Sequence, residues 1–370
     1  MNVSSSKQRF DTIVIGGGQA GLAVGYYLAR QGRDFVILDA NNRTGASWRK
    51  RWDSLKLFTP ARYSSLPGMP FPAPADAFLT KDEVADYLAA YAARFHLPVW
   101  LDAAVDTLSR KADRYLLTTG GHRLEAEHVV VATGAFQHPK VPAFAGLLDP
   151  ATAQFHSKEY RHPKQLREGD VLVVGAGNSG AEIALEVVQT RRTWLAGRDT
   201  GHIPKTYPPI ILELYWWLIH QAVNTDNKIG RRFKELTGKK GAPLVGISKK
   251  DFERAGVERV SRMVGVQNGK PVLQDGRVLS VANVIWCTGF APDFRWIDLP
   301  VFGSDGYPVH ARGVVEGEPG LYFLGLPFQY TLTSSLIGGV GRDAHYIAEQ
   351  IAAQSPRRVE HAEPVATSLV

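Results

Sequence analysis

Cysteine is almost absent from this chain of 370 residues, where Cys287 stands alone. One thiol excludes an internal disulfide framework and a Cys-x-x-Cys redox pair. Hydrophobic runs long enough to cross a bilayer, which takes about 20 residues, are also missing. The greasiest stretch, 210–223, contains Trp216 and Trp217 and is interrupted by Glu213, so it reads as a core helix or a lid rather than an interfacial helix. Residues 1–10 are polar and lead directly into an apolar strand, which favours a cytoplasmic location. No Ser-His-Asp or paired-carboxylate constellation stands out. The eleven histidines include no two at metal-binding spacing with a supporting acid. Metal chemistry is therefore not expected, and no catalytic side chain can be named. The net charge of +7 is scattered: Gly238-Lys239-Lys240-Gly241 and Lys249-Lys250 are too short for a basic tract, so nucleic acid is not an expected partner.

Against these absences stands a glycine pattern written twice. Gly16-x-Gly18-x-x-Gly21 follows the apolar run Thr12-Ile13-Val14-Ile15, and Gly175-x-Gly177-x-x-Gly180 follows Val171-Leu172-Val173-Val174. Strand, glycine turn and helix in that order form a dinucleotide-binding fingerprint. The first glycine makes the tight turn, the second lets the backbone approach a pyrophosphate, and the third lets helix pack on strand. The phosphates then sit on the unpaired amides and positive dipole of the helix N-terminus. Candidate contacts are Gly16, Gly18, Gln19, Ala20 and Gly21 in one copy, and Gly175, Gly177, Asn178, Ser179 and Gly180 in the other. The copies differ where the cofactor is chosen. Asp39, followed by Ala40, lies 23 residues after Gly16, and Arg198 lies 23 residues after Gly175. An acid accepts hydrogen bonds from a ribose diol, whereas an Arg suits a 2′-phosphate. The first site reads as the adenosine ribose of FAD and the second as NADPH, with Lys205 a second candidate for the phosphate.

The remaining segments arrange themselves around these two units. Residues 22–31 and 180–189 read as crossover helices, Phe35–Leu38 and Thr193–Ala196 as the strands that follow them, and 82–95 as an amphipathic helix. Apolar strands at 128–133 and 281–287 run into Gly134 and into Thr288-Gly289. Residues 43–75 are loop-like and aromatic, and long irregular loops in compact domains are usually functional. The expected fold class is α/β, with two Rossmann-like dinucleotide-binding domains and the NADPH domain inserted into the FAD domain. Its division is 1–166 and 285–370 for FAD, with 167–284 for NADPH. Two such domains nearly exhaust the length, so a substrate must bind between the cofactors. Thioredoxin-reductase-like and glutathione-reductase-like enzymes share this layout but need a dithiol.

Together these residues resemble the flavin-containing monooxygenases, including the YUCCA branch of plants and small bacterial relatives, over nearly the whole chain. Further landmarks are Gly45-Ala46-Ser47-Trp48, Arg51-Trp52-Asp53-Ser54-Leu55, Ala132-Thr133-Gly134, His156-Ser157-x-x-Tyr160, Cys287-Thr288-Gly289-Phe290 and the glycine-marked segment 325–341. Trp48 and Phe290, each in a glycine-turn context, are candidate flavin contacts, with a plain core role as the alternative. The resemblance implies that Ala132-Thr133-Gly134 and Thr288-Gly289 are hinge-like links, that His156 joins the domains rather than acting as a base, and that Asn178 reaches the nicotinamide half. Arg198 lies in a stretch similar to the Arg-Asn-Thr-x-His of the YUCCA branch. Phe58 and Tyr330 are candidate pocket walls.

Departures from the family pattern narrow this reading. Pro150 and Thr152 hold the Phe and Gly places of the signature before His156, and Tyr160-Arg161 replaces the Trp-Pro of the Baeyer–Villiger signature. The family's Asn beside the flavin is absent from Leu57-Phe58-Thr59-Pro60-Ala61. The implied activity is NADPH-driven transfer of one oxygen atom of O2, through a flavin C4a-hydroperoxide, to a small soft nucleophile such as a sulfide or amine. An oxidase or reductase releasing hydrogen peroxide, and a decarboxylating keto-acid or ketone oxygenase, are alternatives on the same scaffold. The partners are then a small-molecule substrate and O2, with a homodimer as an open alternative to a monomer.

Overall fold

Strands covered on both faces read as unbroken apolar runs rather than alternating ones, and the two runs before the glycine turns become the centres of two sheets. The computed structural model describes residues 8–204, 209–240 and 243–354. In it, Gln8–Ile15 lies within a nine-stranded sheet and Val171–Val174 within a five-stranded one. Gln8–Ile15 runs parallel between Phe35–Leu38 and His122–Val131, with Ile15 opposite both Leu38 and Val131. Leu321–Phe323 pairs in parallel with the far side of His122–Val131, so both ends of the chain build this sheet.

The second sheet is wholly parallel. Its order is Ala153–His156, Asn283–Trp286, Val171–Val174, Thr193–Ala196 and Glu258–Val260. Its first strand precedes residue 167 and its second crosses residue 284, so the sheet extends past both ends of the expected insert. In each sheet the strand before the glycine turn is flanked by the strand leading to a Thr-Gly end and by the strand leading to Asp39 or Arg198.

Crossover helices Gln19–Arg30 and Asn178–Val187 begin directly at Gly18 and Gly177. The expected helix at 82–95 is Lys81–Arg94, started by a capping box between Thr80 and Glu83. The helix Ile337–Gln354 buries Val340, Ala344, Ile347 and Ile351 in the same core as Leu22, Val24 and Leu28. Trp48 packs against this core and against that of the second unit. Pro209–Trp217 continues as a π-helical turn, Leu218–Ala222. Trp216 and Ile219 of this segment are buried, while Ile211, Leu214, Trp217 and Leu218 are exposed, so a core or lid role describes one face only. Among the described residues no helix is long and apolar enough to cross a membrane.

Candidate functional site

The two glycine turns share one backbone solution. Gly16 has φ +112° and Gly175 has φ +107°, a region that side-chain-bearing residues avoid. A Cβ on Gly16 would stand 2.6 Å from the Ala132 carbonyl oxygen, and one on Gly175 would stand 2.2 Å from that of Cys287. The strand leading to each Thr-Gly end thus presses on the turn. A Cβ on Gly21 would lie 1.9 Å from the Gly16 oxygen, and one on Gly180 1.8 Å from the Gly175 oxygen, so each helix packs directly on its turn. Gly18 and Gly177, by contrast, face open space within 4 Å. Neither helix start has a side-chain cap. The amides of Gln19 and Ala20, and of Asn178 and Ser179, are therefore left to an anion, which fits a dinucleotide pyrophosphate in both places.

The two copies differ one step along the neighbouring strand. Asp39 follows Leu38, which pairs with Ile15; in the second sheet the partner of Val174 is Ala196, so the matching place belongs to Gly197. The equal 23-residue offset is thus corrected by the register. The second crossover is one residue shorter, and Arg198 lies one position beyond the counterpart of Asp39. Asp39 is buried at 7 % exposure, with Oδ1 accepting from the Asn41 amide (2.9 Å) and Nδ2 (2.8 Å). Its Oδ2 turns toward Gly17, where a Cβ would stand 2.6 Å away. The second copy exchanges these sizes. Ala176 stands in the place of Gly17, and Gly197 has φ +153° with a virtual Cβ 2.7 Å from the Ala176 nitrogen. No acid fits there.

Arg198 is exposed just beyond, and Ala40 is exposed beside Asp39. Arg259 donates to the Gly197 carbonyl at 3.4 Å and lies over the Phe252 ring. Lys249 is 3.4 Å from Asp199, whose carboxyl is held below its usual range chiefly by the Gly201 amide. Asn178 is committed locally: its Oδ1 accepts from the Val245 amide at 2.9 Å and its Nδ2 faces the Pro243 carbonyl. Lys205 lies outside the described residues.

Between the units, the two Thr-Gly ends are tied together. Phe290–Ala291 pairs antiparallel with His138–Pro139, and the Thr288 hydroxyl donates to the Lys140 carbonyl. Gln137 donates to Thr133 Oγ1 at 2.7 Å and to the Gly134 carbonyl at 2.9 Å, and accepts from the Asp293 amide at 2.9 Å. Gly134 and Gly289 border open space. His156 is buried, with Nδ1 accepting from the Lys158 amide, which leaves Nε2 to donate to the Gly289 carbonyl at 3.1 Å. Burial pushes its pKa down, so this neutral imidazole fastens the Gly289 end. The Phe290 ring meets His156 edge-on at 4.8 Å and lies under the Arg51 guanidinium.

A cavity of about 560 Å³ is lined by Tyr63, Trp216, Trp217, His220, Gly338 and Arg342, among others. Tyr63 stacks on Trp216 at 4.9 Å. His220 Nδ1 is 2.9 Å from Thr333 Oγ1, and burial, with the Arg342 charge second, depresses the imidazole. Arg342 donates to Thr331 Oγ1 at 2.6 Å and to the His220 carbonyl. Neither Phe58 nor Tyr330 lines this cavity. Phe58 sits half-buried on Lys56–Pro60. The Tyr330 ring is a platform 3.9 Å from the Arg312 guanidinium, and its hydroxyl donates to Asp226 at 2.9 Å.

Sequence reasoning missed several groups. Gly17, Ala176 and Gly197 carry the size exchange, and Arg259 reaches its loop from a strand 61 residues away. In the stretch 57–61, the buried Thr59 hydroxyl pairs with that of Ser64 at 2.8 Å. Asp343 is fully buried 3.8 Å from Arg312, and burial raises its carboxyl pKa. The one available signal was the polar pair Arg342-Asp343 directly after Gly338-Gly339-x-Gly341.

Residues 13–209 match the family described as pyridine nucleotide-disulphide oxidoreductase. An uncharacterized oxidoreductase CzcO-like from Geobacillus kaustophilus is 42% identical over 92% of this chain and 98% of its own. The probable indole-3-pyruvate monooxygenase YUCCA3 of Arabidopsis thaliana is 30% identical over 92% of this chain and 86% of its own. Among solved structures, a flavin-containing monooxygenase from Stenotrophomonas maltophilia superposes with a TM-score of 0.78 at 28% identity, over 94% of this chain and 99% of that one.

Proposed function

Because this chain belongs to the flavin-containing monooxygenase family, as an oxidoreductase that works with a flavin and a pyridine nucleotide, we propose that it uses FAD in the first unit and NADPH in the second. The reaction places one oxygen atom of O2 on a small soft nucleophile, a sulfide or an amine. The observation that carries the cofactor assignment is the size exchange. Gly17 with Asp39 leaves a buried carboxylate for a ribose diol, whereas Ala176 with Gly197 leaves none and sets Arg198 beyond it. Disulphide chemistry needs two thiols, and Cys287 is alone, with burial pushing its thiol above the ordinary range.

A bound flavin supplies hydride acceptance and oxygen activation. The chain's own residues bind and orient. The amides at 18–21 and Asp39 hold the FAD pyrophosphate and ribose, and those at 177–180 with Arg198 hold NADPH. Trp48 and Phe290 wall the seam between them. His156, through the Gly289 carbonyl, holds the strand end that carries Phe290, and Asn178 pins the short strand Leu244–Val245 beside the second cradle. By its sheet, the NADPH unit runs from Ala153 to Trp286 inside the FAD unit.

A second reading, oxygenative decarboxylation of an aromatic 2-oxo acid, is favoured by one feature. The cavity joins the stacked Tyr63 and Trp216 rings to the Arg342 guanidinium, which suits an aryl group with a carboxylate. The test is NADPH and O2 consumption by the holoenzyme with an aryl methyl sulfide, a tertiary amine or an aromatic 2-oxo acid, with products read by mass spectrometry. Stoichiometric sulfoxide or N-oxide supports the first reading, and decarboxylated acid supports the second. Hydrogen peroxide equal to the NADPH consumed with all three would replace both with an oxidase.

A further inference from the structure

The segment that walls the cavity has a second, outward face. Its buried side chains, Trp216 and Ile219, point into the protein. Ile211, Leu214, Trp217 and Leu218 recur at the i, i+3, i+6 and i+7 spacing of one helix face and are 49, 55, 57 and 41 % exposed. The next helix, Lys228–Lys240, exposes Ile229 and Phe233 beside Lys228, Arg231 and Arg232. Scattered exposed apolar side chains mean little, but a stripe of four that includes a Trp marks an interaction surface. Charge selects the partner. Residues 209–240 hold six Lys and Arg against Glu213, Asp226 and Glu235; Asp226 is already bonded to Tyr330, and Arg231 donates to the Thr225 and Asp226 carbonyls.

We propose that this face docks on an anionic lipid surface, lying in the interface without crossing it. An apolar stripe with Trp sits at headgroup level, and the cations of the next helix in sequence, Lys228–Lys240, pair with acidic headgroups; the two signals together are what stable interfacial binding requires. A symmetric pair of chains sealed through the same face would instead set these cations against their own copies. Trp217 belongs to both the stripe and the cavity wall, so the docked face brings the cavity mouth to the lipid and admits lipophilic substrates from it. Lipid binding follows from the surface alone and is independent of whether oxygen transfer is the reaction.

Flotation of the flavin-loaded protein tests this with vesicles of phosphatidylcholine, with and without phosphatidylglycerol. We expect binding to the acidic vesicles, little to the neutral ones, and release at high salt. Leu214→Ser with Leu218→Ser, and separately Lys228→Glu with Arg232→Glu, should each lower the bound fraction on the order of tenfold. Retained flavin absorbance shows that both variants fold. Absence of binding to acidic vesicles overturns the proposal, as does equal binding to neutral ones. A dimer in sedimentation that the Leu214→Ser, Leu218→Ser variant dissociates also overturns it, by assigning the face to a second copy.

Discussion

The two nucleotide turns have nearly the same backbone and opposite side chains. At the helix starts, Gly18 has φ −80° and Gly177 φ −81°, and the turn glycines differ by only a few degrees. Next to that shared cradle, one unit places a small residue on the turn and an acid on the strand, while the other places Ala176 on the turn and Gly197 on the strand. A pyrophosphate asks the same of both, namely open amides at a helix N-terminus. The riboses ask for different things, and two contacting positions answer together. On the proposed cofactor assignment, discrimination belongs to the pair rather than to Asp39 or Arg198 alone.

Breaking either cradle should separate the two functions most sharply. A valine at Gly21 or Gly180 meets backbone oxygen, with a cost of about 3 kcal/mol or more. We expect Gly21→Val to purify without flavin, and Gly180→Val to keep its flavin yet resist reduction by NADPH. Anaerobic titration followed by flavin absorbance reads both, and the reverse pattern would exchange the cofactors between units. Next in size, Arg198→Ala should weaken NADPH by roughly 1.5–3 kcal/mol, about tenfold to a hundredfold, as for a lost hydrogen bond to a charged group. NADH binding should change little; an equal loss for both nucleotides would remove Arg198 from the phosphate. On the other side of the comparison, Asp39→Asn should loosen FAD by about 1–2 kcal/mol, measured as flavin released on dilution. Unchanged retention would leave the ribose to other groups.

The smallest effect is expected from acid. His128, His156 and His220 are all depressed by burial, and His310 is pushed down to about 4. Their folded pKa values lie below the unfolded value of about 6.5, so the unfolded chain takes up protons first as pH falls. This contribution to stability is complete at neutral pH and declines from about 6.5 toward about 4. We expect Tm to drop between pH 7 and pH 5, with His310→Gln flattening the slope in the first unit and His156→Asn in the second. A Tm independent of pH across that window would show these imidazoles are not buried neutral.

Much of this was legible in the chain because it is local. Ile13-Val14-Ile15 followed by Gly16, and Val173-Val174 followed by Gly175, show strands covered on both faces that run into turns only glycine can make. The amphipathic helix read at 82–95, observed as Lys81–Arg94, was equally legible. The specificity position was half legible. Counting from the glycines found Asp39 and Arg198, but a crossover one residue shorter moved the structural match to Gly197. The surroundings of Tyr330 were not legible, because nothing in its neighbourhood of sequence shows that Arg312 and Asp226 come to its ring and hydroxyl.

By itself, then, the sequence determined two strand, glycine-turn and helix units, a flavin and pyridine-nucleotide redox chemistry, and the exclusion of a dithiol. Each depends on neighbouring residues or on a residue type being absent. Only the tertiary structure decided which side chains face those turns and where a cavity opens. Ala176 meets Gly197 across a parallel register that one residue can shift. The cavity is lined by Tyr63, Trp216 and Gly338, residues from three distant segments. Contacts of that kind are set by how sheets and helices pack, and no local pattern carries them.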